Sequence, residues 1–389
     1  MKKIYLLIAL LVCSQSFAQQ MHYRKNEQSL FQRLTAIEKK SNRFNLYLNT
    51  QNSFDLNMYE GSTEQSGFYT RQLRIEAVGD INDKIYYRWR QRLNRSNTPL
   101  AHENQPTSID YAAVGYRMTP TFSLFAGKQC AAYGGFEFDQ NPIDIYEYCD
   151  MIEYMSNFMV GVTFGFRFSD SQELLVQVLN SRNGSFEETY GALPYEIKPS
   201  DISLAYTLNW NAAFWDGLLK LRWSATIANQ SHSRNMYYFA AGQQLDLGCF
   251  QTYIDFMLSR EDIDRKRIIS SFASDYLDGV TALNTNYRTL LCKVNYRVSP
   301  HLTLFAKGMY ETASVFKSFD QMERGRYRTA LGYLGGIEYY PMNKSNLHFF
   351  ACFVGRSYDF SDRAKELFNA RNYHTQRVSV GFIYKLPMY

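Results

Sequence analysis

Between Lys84 and Leu93 the side chains alternate without a break. Ile85, Tyr87, Trp89, Gln91 and Leu93 share one side, and Lys84, Tyr86, Arg88, Arg90 and Arg92 share the other. Period-two alternation predicts a β-strand with unlike faces. The pattern recurs along most of the chain. Phe44, Leu46, Leu48 and Phe54 oppose Asn45, Tyr47, Asn49 and Asp55. Leu219, Leu221, Trp223 and Ile227 oppose Lys220, Arg222, Ser224 and Thr226, and Val378, Val380, Phe382 and Tyr384 oppose Arg377, Ser379 and Gly381. About sixteen such segments can be counted, mostly ~9–12 residues long, the length of a tilted strand that crosses a bilayer. The 31 Tyr and 28 Phe suit strands.

The connectors alternate in length. Asp80–Asp83, Met118–Thr121, Ser169–Ser171, Val298–His301 and Pro341–Lys344 read as tight turns. Asn94–Thr107, Cys130–Ser156, Ser181–Ser200, Ser259–Asn286 and Ser357–Asn372 read as long polar loops. Two tight hairpins even repeat a sequence, GYRMTPTFSLFAGK from Gly115 and NYRVSPHLTLFAKG from Asn295. A soluble sandwich has no reason to sort its connectors this way. The expected fold is therefore all-β: a transmembrane antiparallel β-barrel of about sixteen strands, with short periplasmic turns, long extracellular loops and a short N-terminal helix.

The first residues, MKKIYLLIALLVCSQSFAQQ, have a basic start, an apolar core from Ile4 to Val12 and a small-x-small site at Ser16–Ala18. Residues 1–18 are thus expected to be a signal peptide, which places the mature chain outside the cytoplasm. Residues 19–42 are expected to form a periplasmic segment. Its helix spans Glu27–Lys40, with Leu30, Leu34 and Ile37 on one stripe. Residues 43–389 are then the barrel. Loss of Lys2 and Lys3 leaves 40 basic against 37 acidic residues, too small an excess to suggest nucleic acid.

Five cysteines remain, with no C-x-x-C, so neither a disulfide scaffold nor a zinc site is expected. Cys130 and Cys149 flank one loop and are the candidate pair for an oxidising compartment. The six histidines lack a matched Ser or Asp, and the familiar hydrolase, metalloprotease and phosphate-loop motifs are missing. No enzyme activity, cofactor or metal is expected.

In a barrel, Arg on the lipid side costs roughly 2–4 kcal/mol at the midplane. The Arg88, Arg90, Arg92 column therefore faces the lumen, where water makes a partner unnecessary. Alternation adds Arg74, Lys220, Arg222, Lys293, Arg297, Lys307, Arg356 and Arg377 to the lumen side, against Asp55, Glu76, Asp255 and Glu338. Such an interior is net positive and favours small anions. The competing expectation is that carboxylates of the Cys130–Ser156 loop neutralise it: Glu137, Asp139, Asp144, Glu147 and Asp150. Sixteen strands leave room for a water-filled channel. A non-conducting barrel for adhesion or secretion shares these features and would differ in conductance.

The chain resembles the phosphate-selective porin O and P family of outer-membrane porins over nearly all of its mature length. The likeness is strongest in FNLYLNTQNSFD (Phe44–Asp55) and GKQCAAYGGFEFDQNPIDIYEYCDMIEY (Gly127–Tyr154). The resemblance implies a homotrimer of sixteen-stranded barrels in the bacterial outer membrane. It implies passive uptake of small anionic or neutral solutes, and a third loop that folds inward as a constriction. Carried onto this sequence, that loop holds Phe136, Glu137, Asp139 and Asp144. The family's arginine and lysine ladders are reduced here to one obvious column, and the loop is acidic. What carries over is general porin activity.

Overall fold

The computed structural model describes residues 41, 43–319, 322–342 and 345–389. The signal peptide, the periplasmic segment with its helix and the stripe Leu30, Leu34 and Ile37 lie outside the described residues.

Sixteen long strands form one antiparallel sheet. They are β1 (Asn45–Tyr59), β2 (Gly67–Asp80), β3 (Ile85–Arg92), β4 (Ile109–Arg117), β5 (Phe122–Cys130), β6 (Phe158–Ser169), β7 (Gln172–Asn180) and β8 (Leu204–Phe214). They continue as β9 (Leu219–Ser231), β10 (Arg234–Asp246), β11 (Phe250–Ile263), β12 (Leu283–Ser299), β13 (Leu302–Val315), β14 (Gly325–Tyr339), β15 (His348–Phe360) and β16 (Tyr373–Pro387). Each pairs with its sequence neighbours. β16 returns to β1, from Tyr47 opposite Pro387 to Tyr59 opposite Thr375, so the barrel closes and no edge is left unpaired. The aromatic end is part of that seam: Leu46 N–H donates to the carbonyl of Tyr389, and the rings of Phe44 and Tyr389 lie 5.5 Å apart.

Strand length runs from 8 residues in β3 to 17 in β12. The excess over the ~9–11 that span hydrocarbon is paired backbone that continues towards the long loops, as at Met236–Glu261 and Thr285–Val315. The alternation expected from sequence is realised side by side. In β1, Asn45, Tyr47, Asn49, Gln51, Ser53 and Asp55 are buried inside, while Leu46, Leu48 and Phe54 point out. Trp223, Ile254, Leu290, Leu331 and Phe349 are among the exposed apolar side chains of the outer wall.

The tight turns gather at one end. They are residues 81–84, 118–121, 170–171, 215–218, 247–249 and 300–301. Local chemistry shapes them: Asn82 Oδ1 accepts from the N–H of Lys84 at 2.9 Å and of Ile85 at 2.8 Å. The other end carries L1 (60–66), L2 (93–108), L3 (131–157), L4 (181–203), L5 (232–233), L6 (264–282), L7 (described at 316–319 and 322–324) and L8 (361–372). L5 breaks the alternation of lengths. Ser231 ends β9, and only His232 and Ser233 form the turn between the two long strands. All five described cysteines are free thiols, so Cys130 and Cys149 do not pair.

Candidate functional site

The lumen is organised by charge. Arg88, Arg90 and Arg92 point inward from β3 as alternation requires, but they are not left to water. Arg90 Nε lies 2.9 Å and Arg92 Nε 2.8 Å from the carboxylate of Asp110 on β4, and Arg74 Nε of β2 lies 3.1 Å from the same group. Arg88 pairs with Glu76 at 2.8 Å, and Arg71 with Asp55 at 2.5 Å. The guanidiniums also stack on aromatic faces, Arg88 at 3.8 Å from the Tyr111 ring centroid and Arg90 at 4.9 Å. The expectation that the column needs no partner is therefore corrected. Most of these groups are deeply buried, and a buried cation requires a counter-charge. The partners come from the wall itself and not from the acidic loop.

Two of these residues reach the lumen through irregularities of the sheet. Arg90 pairs with Tyr111 but Gln91 with Ile109, so Asp110 is the extra residue of a β-bulge. Gln51 pairs with Gln72 but Asn52 with Thr70, which makes Arg71 an extra residue as well. A bulge re-aims the side chain it adds. Simple alternation puts Asp110 with outward Ala112 and Val114, and the sequence offers no signal to the contrary.

The loop carboxylates serve the opposite wall. L3 turns into the barrel, and its first residues are buried from Ala131 to Glu137. Asp139 pairs with Arg222 of β9 and Glu137 with Lys307 of β13 at 2.5 Å. Asp150 pairs with both Arg328 and Arg356, on β14 and β15. Glu147 reaches Arg377 of β16 at 3.0 Å, and Glu311 of β13 joins Arg356 at 2.7 Å. Wall groups also hold the loop backbone. Asp255 accepts from the N–H of Phe136 at 2.9 Å and of Glu137 at 2.8 Å. Gly135 and Gly242 permit that approach, since a Cβ on either would collide with the Asp255 carboxylate. Tyr146 donates to Glu338 at 2.8 Å and stacks on Phe305 at 4.6 Å between centroids.

The sequence-predicted residues thus divide into groups. Arg74, Arg88, Arg90 and Arg92 form one cluster. Arg222 and Lys307 meet Asp139 and Glu137 beneath the loop, with Phe136 buried 6.5 Å from the Tyr253 ring. Lys293 faces inward directly opposite Lys307 across the sheet. Lys220 stands apart at the turn end, 3.9 Å from Asp246. Asp144 is an exposed residue of the loop and joins none of the ion pairs described above. Sequence reasoning missed Asp110 and Arg71, hidden by bulges. It also passed over Arg328, whose inward register was legible.

L3 leaves an open space on the other side. A cavity of about 620 Å³ lies between the loop and the wall of β1–β5, β15 and β16. Its basic lining residues are Arg71, Arg74, Arg92, Arg95, Lys128, Arg356 and Arg377, and its acidic ones are Glu147, Asp150 and Glu153. It is large enough for roughly twenty waters at ~30 Å³ each.

A closed barrel with an apolar outer wall, a charged lumen, an in-folded loop and a cavity roomy enough for water defines an outer-membrane diffusion porin. Solved porins share the architecture. The outer-membrane channel DcaP of Acinetobacter baumannii superposes with a TM-score of 0.60 at 10% identity, over 90% of this chain and 100% of that one. The anion-selective porin of Comamonas acidovorans gives 0.53 at 10% identity, over 88% and 99%. The trimer form of OmpT of Vibrio cholerae gives 0.54 at 12% identity, over 88% and 99%. No curated protein matches the sequence. Residues 44–386 match the family model described as phosphate-selective porin O and P, and the chain belongs to that family. It is a passive diffusion channel of the bacterial outer membrane.

Proposed function

We propose that the channel prefers small anions and that the cluster Arg74, Arg88, Arg90 and Arg92 is chiefly responsible, with Arg74 and Arg92 lining the open cavity and Arg88 and Arg90 behind them in the wall. One observation carries this reading: the cavity beside L3 is lined by seven basic side chains and three acidic ones. A surplus of fixed positive charge in a low-dielectric cleft concentrates anions and repels cations. Arg222, Lys293 and Lys307 lie under L3 and contribute mainly by seating the constriction loop. Phe136, Glu137 and Asp139 anchor that loop, and Asp144 faces the lumen. Nothing in this arrangement is built to discriminate phosphate from other anions of similar size. The protein acts as a channel rather than an enzyme.

The chain is read as a homotrimer. On the outer wall Asn52 donates to Thr50 at 2.7 Å and accepts from Thr70 at 2.8 Å. Such a polar patch is poorly served by acyl chains and suits a wall covered by another subunit.

The test is reversal potential across a KCl gradient, in planar bilayers containing the purified porin. Anion preference is expected. Cation preference would overturn the selectivity, and an absence of stepwise current would favour a non-conducting scaffold.

A further inference from the structure

Arg265 is the second residue of L6, two positions past the end of β11. Its side chain is only 7% exposed. Among the described residues no carboxylate lies within ion-pair distance of it. Nη2 meets Met159 Sδ at 3.9 Å, and neither Nε nor Nη1 has a hydrogen-bond partner. The acids beside it in sequence are already engaged. Glu261 pairs with Lys266 and accepts from the Arg265 N–H at 2.7 Å. Asp264 accepts from Tyr287 Oη at 2.6 Å, from Ser270 Oγ at 2.7 Å and N–H at 2.9 Å, and from the Arg267 N–H at 3.0 Å.

Further unpartnered donors come from two other loops. Tyr133 of L3 and Tyr190 of L4 are both 0% exposed; the Tyr133 hydroxyl has no partner, and the Tyr190 oxygen meets the Gln230 amide while its O–H finds no acceptor. Arg182 of L4 also has a buried, unpartnered Nε. These groups sense one another. Burial pushes both phenols up, Tyr133 to about 12, and the positive charge of Arg265 is the leading influence in the opposite direction for each. Tyr190 also feels Arg182. A buried guanidinium without a counter-charge is strongly unfavourable, and phenols without acceptors add to the penalty. A negatively charged ligand beside Arg265 would supply the missing counter-charge and an acceptor for its neighbours.

We propose that Arg265, with Tyr133, Tyr190 and Arg182, forms a binding site for a small inorganic anion that ties L3, L4 and L6 together. Arg265, Tyr133, Tyr190 and Arg182 do not line the 620 Å³ cavity, so the site is separate from that opening and independent of the channel's ion preference. Its consequence is structural: the loops are fastened only when the anion is present.

Bromide is the probe. Crystals of the full barrel in sodium bromide are expected to show an anomalous peak in contact with the Arg265 guanidinium, and crystals of Arg265→Gln are expected to lack it. A site that holds only water, or a peak that survives the substitution, overturns the proposal. Should Arg265→Gln fail to fold, the wild type still decides. Its heat-unfolding midpoint in detergent is expected to be several degrees higher in chloride than in gluconate at equal ionic strength. An equal midpoint in the two salts overturns the proposal.

Discussion

The two sides of the lumen use the same residue types to opposite ends. On the β1–β4 side, five cations (Arg71, Arg74, Arg88, Arg90 and Arg92) share three carboxylates (Asp55, Glu76 and Asp110). On the β9 and β13–β16 side, five cations (Arg222, Lys307, Arg328, Arg356 and Arg377) meet five carboxylates, four of them from L3. Both border the open space beside L3, but only the first side brings a positive surplus to it. The other is balanced, and its charges hold a loop in place. Composition alone says nothing of this division, because the chain as a whole is close to neutral. On the function proposed above, selectivity comes from where the balance fails.

If the surplus sets selectivity, removing it has the largest effect. Arg74→Gln with Arg92→Gln leaves Arg90 to pair with Asp110. The anion-to-cation permeability ratio is expected to fall by about threefold or more, since fixed charge in a cleft sets potentials of several kT. Reversal potential in a KCl gradient reads it, and an unchanged ratio would break the comparison. The balanced side predicts a change of size rather than sign. Glu137→Gln, Asp139→Asn and Asp150→Asn together are expected to release L3 and raise single-channel conductance by roughly half or more, because cations stripped of their partners no longer hold the loop. Planar-bilayer recording checks this, and the sign of the reversal potential should stay the same while anion preference rises, since three carboxylates leave the lumen and Asp150 borders the open cavity.

Asp110→Asn sharpens the contrast, because it enlarges the surplus. Anion preference is expected to rise, while stability in detergent falls by about 3 kcal/mol, the usual cost of breaking a buried ion pair. A fall in anion preference would show that Asp110 matters mainly by positioning the arginines. Salt concentration has a milder effect. From 0.1 M to 1 M the Debye length shrinks from ~10 Å to ~3 Å. The wild-type preference should weaken over that range without any step in conductance per ion. The smallest effect is expected from Tyr146→Phe. Loss of the bond to Glu338 should cost about 1 kcal/mol in thermal unfolding and leave the reversal potential unchanged.

Much of the fold was legible in the sequence because a bilayer enforces a simple rule. An outward Leu or Trp and an inward Asn or Arg must alternate for the length of a strand, and Lys84–Leu93 displays this without ambiguity. The sorting of tight and long connectors was equally plain, apart from L5. The site was less legible. Inward direction could be read for Arg74 or Lys307, but partnership could not. Pairing depends on how strands stagger around the ring and where L3 lands, and Asp139 meets Arg222 across a separation that no local pattern encodes. Asp110 was out of reach for a sharper reason. Its orientation follows from an unpaired backbone position, and a bulge leaves no mark on hydrophobic periodicity.

That bulge gives the channel an unusual evolutionary handle. Asp110 enters the lumen because β4 carries one residue more than β3 opposite it. Excision of a single codon there would restore the plain ladder and rotate the acid away from its three arginines. Ion preference in this lineage can therefore drift through the length of one strand, while every amino acid of the arginine column stays the same.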